Sequence, residues 1–145
     1  MKKFLFGLTL VLSIMVILSC KSLETQEAVD NAFQKIYDKY YESLILDGAA
    51  NFTVATGNTL SGISQTYYHN EYHFPLIMLA SHDIVKDPDM IRPGMKLTIP
   101  DLQKNLGNAS TKAQLKLFYV DISRLYDKRD KKEAAKNLRQ LAATM

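Results

Sequence analysis

The sequence has one cysteine and no tryptophan. A single thiol can form no disulfide within the chain, which excludes the disulfide-stapled secreted scaffolds and leaves the fold dependent on its apolar core. Four prolines and six glycines are too few for a collagen-like or low-complexity chain. Neither sign of charge is in excess. Eighteen Lys plus Arg against 15 Asp plus Glu give a net charge of +3, which does not fit a wholly disordered chain. The 145 residues leave room for one small domain with appendages and none for a large two-domain enzyme. A Gly-x-Ser-x-Gly elbow, a phosphate-binding glycine-rich loop and a dinucleotide fingerprint are all missing, so the sequence points away from an enzyme.

No apolar run reaches the roughly 20 residues of a membrane-spanning helix. The longest, Phe4 to Leu18, follows the basic start Met1-Lys2-Lys3, and this order predicts a secretory signal over residues 1–19. Cys20 stands directly after it, in Ile17-Leu18-Ser19-Cys20. The segment resembles the lipobox of bacterial lipoproteins, relaxed forms of which occur in spirochaetes. The resemblance implies that Cys20 receives a diacylglyceryl group and becomes the acylated N-terminus after cleavage by signal peptidase II. Acyl chains such as palmitate would then hold the protein on a membrane, in a bacterial cell envelope and facing the periplasm.

Beyond the signal, charge is uneven. Residues 20–50 carry 3 basic and 6 acidic side chains, residues 51–101 carry 3 and 5, and residues 102–145 carry 10 and 4. In the first of these segments Val29, Phe33, Ile36, Tyr37, Tyr40 and Leu44 recur at three- and four-residue steps. They predict an amphipathic helix from Thr25, as N-cap, to Leu46, stopped by Asp47-Gly48. Tyr37, Tyr40 and Tyr41 are read as packing surface. In the last segment Leu115, Phe118, Ile122 and Leu125 predict a helix over 111–126, and Ala134, Leu138 and Leu141 a second over 131–143. Asp130-Lys131-Lys132-Glu133 between them has the spacing of a capping box, which predicts a basic helical hairpin. Its lysines are scattered, and no aromatic residues interleave with them as a single-strand groove requires, so nucleic acid is not the expected partner.

The middle segment reads as strand, turn, helix, helix, strand. Phe52-Thr53-Val54 is β-rich, Thr56-Gly57-Asn58 is turn chemistry, and Thr59 with Leu60, Ile63 and Tyr67 opens a helix. Phe74 to Ala80 predicts a second helix with Pro75 in its first turn. After a loop with Asp87-Pro88-Asp89 and Pro93-Gly94, Lys96 to Pro100 predicts the second strand.

Phe52-Thr53-Val54-Ala55-Thr56-Gly57-Asn58-Thr59-Leu60-Ser61-Gly62-Ile63 resembles the opening of a LysM domain, and Asp87 to Pro100 resembles its close. Asn58 stands where the family usually has Asp, Phe74 where it has Trp, and Ser81-His82 where it often has Ala-Asn. The resemblance implies an α+β fold in which a β-α-α-β LysM-like domain, residues 51–101, is flanked by the lipidated helical segment 20–50 and the hairpin 102–145. It also implies a function. LysM domains bind N-acetylglucosamine polymers, chiefly peptidoglycan and chitin, between their first strand-helix loop and their second helix-strand loop. Carried over by position, the glycan-binding residues are Thr56, Gly57, Asn58, Thr59 and Leu60, with Asp87, Asp89, Met90, Ile91 and Arg92. Gly57 would let the backbone approach the sugar closely, and Met90 and Ile91 would supply an apolar wall.

Other chemistries are weaker. His69 and His73 with Glu71 lack the His-Glu-x-x-His pattern and an assured third ligand, so no metal or other cofactor is expected. Asp83, Asp87 and Asp89 flank Pro88 in a loop and read as a solvated turn rather than the paired acids of glycoside hydrolysis. The expected protein is therefore a non-catalytic, peptidoglycan-binding lipoprotein that joins membrane to wall. The alternative is an envelope scaffold, or a regulator of a wall hydrolase, acting on a protein partner through its basic hairpin.

Overall fold

The computed structural model describes residues 25–145. The signal-like run and Cys20 lie outside these residues. Two antiparallel strands and six α-helices make up the described part, with the order helix, strand, two helices, strand, three helices. The fold class is α+β, as the sequence implies.

Helix α1, residues 25–40, has its apolar stripe inward: Phe33 and Tyr37 are fully buried, as is nearly all of Tyr40. It ends earlier than the apolar periodicity predicts. A single 3-10 turn, Tyr41–Ser43, follows, and Leu44 is already extended. The cause is a competing set of partners from the far end of the chain. Asn105 accepts from the Ile45 N–H at 3.0 Å and donates to the Ile45 carbonyl at 2.9 Å, while the Thr111 hydroxyl donates to the Ser43 carbonyl at 3.0 Å. Backbone groups that would have continued the helix are satisfied outside it. Thr25, expected as the N-cap, is already helical.

Strands β1 (Ala50–Thr53) and β2 (Lys96–Ile99) pair with Phe52 opposite Leu97. The ladder runs on past their ends, because the Val54 N–H donates to the Met95 carbonyl and the Gly94 N–H to the Val54 carbonyl, both at 2.8 Å. Leu97 and Ile99 point inward with the alternation a half-buried strand requires. Helices α2 (Leu60–Tyr68) and α3 (Phe74–Ala80) lie between the strands in sequence. All seven residues of α3 are buried, so this helix is the centre of the core, touching both β2 and α5. Ser81 ends it and ties it to the sheet, its hydroxyl accepting from the Thr98 N–H at 2.9 Å.

The last 44 residues form three helices rather than two. Asp101 caps a short α4 (Leu102–Gly107) by accepting from the Lys104 N–H, and Asn108 caps α5 (Ala109–Lys128) by accepting from the Thr111 N–H. Helix α6 (Lys132–Thr144) returns along α5. The capping box expected at Asp130 does not form: α6 starts after Lys131 with no side-chain cap. Asp130 instead takes φ +60°, the Lys131 N–H reaches the Tyr126 carbonyl at 2.9 Å, and the Asp130 N–H reaches that of Asp127 at 3.1 Å. These are the two bonds of a Schellman motif, so Asp130 ends α5 and does not begin α6.

Both flanking parts pack on the LysM-like segment. From α1, Tyr37 meets His82 edge to face and Tyr41 in the following turn lies 3.9 Å from the His82 ring, centroid to centroid, while Phe33 meets Tyr126 of α5 edge to face. Helix α1 is thus part of the core and not a spacer. The buried faces of the hairpin, Leu115, Phe118, Tyr119, Ile122 and Tyr126 on α5 and Ala135, Leu138 and Ala142 on α6, belong to that same core. Among the described residues no helix is long and apolar enough to cross a membrane.

Candidate functional site

The turn between β1 and α2 is built by its own residues. Gly57 has φ +85°, which non-glycine residues rarely adopt. Asn58 closes the turn, its side chain accepting from the Ala55 N–H at 2.8 Å. Thr59, not Asn58, caps α2, its hydroxyl accepting from the Gly62 N–H at 3.1 Å. Leu60 follows, buried.

The second loop is held by carboxylates. Asp87 caps the 3-10 turn Pro88–Met90, accepting from the Asp89 N–H at 2.9 Å. Its two oxygens also take a bidentate pair from Arg129, each bond 3.0 Å long. Burial alone would raise the Asp87 carboxyl, but the Asp89 N–H, Arg129 and Gln26 outweigh it and hold the group below the usual carboxylate range. Arg129 reaches Asp89 as well, at 2.9 Å, and Lys131 closes on the same carboxylate. This second loop is thereby clamped to the turn of the hairpin.

The two loops meet at one open groove of about 840 Å³. Of the residues expected to bind glycan, Asn58, Thr59, Leu60, Asp89 and Ile91 line it. Thr56, Gly57, Asp87, Met90 and Arg92 do not. Gly57, Thr56 and Arg92 are exposed at the loop tips, and Met90, 42% exposed, lies outside the lining, so the apolar wall is Ile91 with Phe74 and Pro88. Asp87 is only 5% exposed and serves the ion-pair cluster behind the loop.

Sequence reasoning missed the other lining residues. Tyr72 and Glu71 come from the 3-10 turn before α3, Tyr126 from α5, Lys131 from the α5–α6 turn, and Lys132 and Glu133 from the first turn of α6. A weak signal existed for Tyr72, in the aromatic stretch Tyr67 to Phe74. None existed for the hairpin residues, whose position is set by tertiary packing.

His69 and His73 do not converge. His69 is the exposed, left-handed C-cap of α2, at φ +55°. His73 is buried with its Nδ1 3.0 Å from the Tyr119 hydroxyl, and burial lowers its pKa, disfavouring the charged ring. Among the described residues no three His, Cys, Asp or Glu side chains are grouped to hold a metal ion. The groove brings together a small apolar wall, the aromatic side chains of Tyr72 and Tyr126 and a few charged tips.

Residues 52–100 match the family model of the LysM domain. LysM domains are binding modules for glycans such as peptidoglycan. Over 50 residues the chain is 42% identical to Potassium binding protein Kbp of Escherichia coli O6:H1 (strain CFT073), a stretch amounting to 34% of this chain and 34% of that protein. The match thus spans about a third of the length of the curated relative. No solved structure matches the chain significantly.

Proposed function

We propose that the protein is a lipid-anchored, non-catalytic component of a bacterial cell envelope that binds N-acetylglucosamine-containing strands of peptidoglycan and ties the membrane to the wall. One observation carries this reading. The two LysM loops, far apart in sequence, come together at a groove lined by the Asn58–Leu60 turn and Ile91. An N-acetyl sugar has a planar amide that backbone N–H and C=O groups can pair with, and a methyl group that Ile91 and Phe74 can cover. The anchor rests on Cys20 and the run before it, and the periplasmic side follows from export. A shallow groove gives modest affinity, which anchoring offsets by raising the effective concentration at the wall.

The full chain in detergent is expected to sediment with purified sacculi and to be released by N-acetylglucosamine oligomers. Ile91→Arg, at a half-buried position on the groove wall, is expected to weaken sedimentation at least tenfold without altering the circular dichroism spectrum. Equal sedimentation of the two proteins would sink the groove assignment. In cells, incorporation of labelled palmitate that disappears in Cys20→Ser tests the anchor separately.

A further inference from the structure

The groove is wider than the LysM segment alone would make it. At about 840 Å³ it lies in the upper part of the range for small-ligand sites, roughly 300–1,000 Å³. Part of its lining is the start of α6, where Lys132 and Glu133 are exposed and Lys131 is tied to Asp89. Tyr72, also in the lining, is half-buried, and its hydroxyl accepts from the Asn137 Nδ2 of α6 at 2.7 Å. An aromatic side chain of the LysM segment is therefore oriented by a helix outside it. The hydroxyl keeps its own O–H, and the Tyr72 side chain held in this way lines the groove.

We propose that Tyr72 and the first turn of α6 form a second subsite of the groove, which takes a further ring of the same amino-sugar chain. The inference rests on the glycan-binding reading above. A pyranose has a flat C–H side that packs on an aromatic ring, and its hydroxyls around the rim need donors and acceptors. Lys132 supplies a donor and Glu133 an acceptor within the lining. Asn137 is a positioning residue, because it acts only through Tyr72. The Lys131 and Arg129 contacts to Asp89 keep the hairpin turn against the first subsite, so both subsites belong to one continuous surface.

Chain-length dependence tests this. Calorimetric titration of the full chain in detergent with N-acetylglucosamine oligomers of two to six units is expected to show affinity rising with length. Tyr72→Ala should lose roughly five- to tenfold for the six-unit chain, as expected of an aromatic contact, and leave the two-unit chain unchanged. Asn137→Ala and Lys132→Ala should flatten the length dependence in the same direction, whereas Tyr72→Phe keeps the ring and most of the affinity. Lys132 is exposed, so its variant also guards against loss of fold as the explanation. Unchanged six-unit affinity in Tyr72→Ala and Lys132→Ala, with Ile91→Arg still defective, overturns the second subsite and leaves the glycan reading standing. A loss of equal size at every length also overturns it, by placing Tyr72 in the first subsite. No binding of any oligomer by the wild type overturns the glycan reading itself.

Discussion

Arg129→Ala is expected to destabilise the protein by about 3 kcal/mol or more, because it leaves the Asp87 carboxylate buried without its counter-charge. Asp87 is 5% exposed, and Arg129 supplies both of its bidentate bonds and a third bond to Asp89. The guanidinium also sits 5.5 Å from the centre of the Phe33 ring, so truncation loses packing on α1 as well. Asp87→Asn alone should cost less, since the amide oxygen can still cap the turn at Asp89. The Arg129→Ala/Asp87→Asn double variant should recover part of the Arg129→Ala loss, and urea unfolding of all four proteins measures the coupling. The pH dependence has a definite sign. Asp87 is held below its unfolded pKa, near 3.9. Its contribution is thus complete above that value and is lost as pH falls through the folded pKa. In Arg129→Ala this acid-side loss should shrink.

Asn105→Ala is the second large effect, expected at about 2–4 kcal/mol in the same assay. Asn105 is fully buried and its side chain makes three bonds, to the N–H and carbonyl of Ile45 and to the carbonyl of Asp101. Removal strands the two Ile45 backbone groups, each worth about 1–3 kcal/mol if left unsatisfied. It also empties the space at the joint between α1, β1 and α4. Asn105→Asp keeps the acceptor for the Ile45 N–H but loses both donors, so it should be as harmful or worse. A loss below about 1 kcal/mol for Asn105→Ala would show that the segment around Ile45 is held by Thr111 and not by Asn105.

The parts of the molecule that could be read from sequence are those whose causes are local. Turn chemistry at Thr56-Gly57-Asn58, Pro75 in the first turn of α3 and the alternation through Lys96 to Ile99 each act within a few residues, and the strands and helices of the LysM segment followed from them. The aromatic face of α1 was legible for the same reason. Its end was not, because the partner that draws Ile45 out of the helix is Asn105, 60 residues away. Helix α4 had signals that went unread, with Asp101 as cap and Gly107-Asn108 as stop, but it is only six residues long. Asp130-Lys131-Lys132-Glu133 fits two motifs equally well in sequence, and the structure uses Asp130 for the ending of α5.

The candidate site divides along the same line. Asn58, Thr59, Leu60 and Ile91, which the LysM resemblance singles out, line one groove. Asp87 was placed correctly in the loop, but its role could not be read, since burial by Arg129 depends on a residue 42 positions later. The hairpin wall and the Asn137 tie to Tyr72 arise only when α6 folds back over the LysM segment.

The most direct test of glycan binding at this groove is amide chemical-shift mapping by NMR, on the full chain in detergent micelles titrated with an N-acetylglucosamine hexamer. The account predicts saturable shifts at Asn58, Thr59, Leu60, Asp89 and Ile91, extending to Tyr72 and to Lys132 and Glu133. Shifts confined to the separate groove around Tyr67, His69 and Leu102, or no shifts from a folded protein, would contradict it.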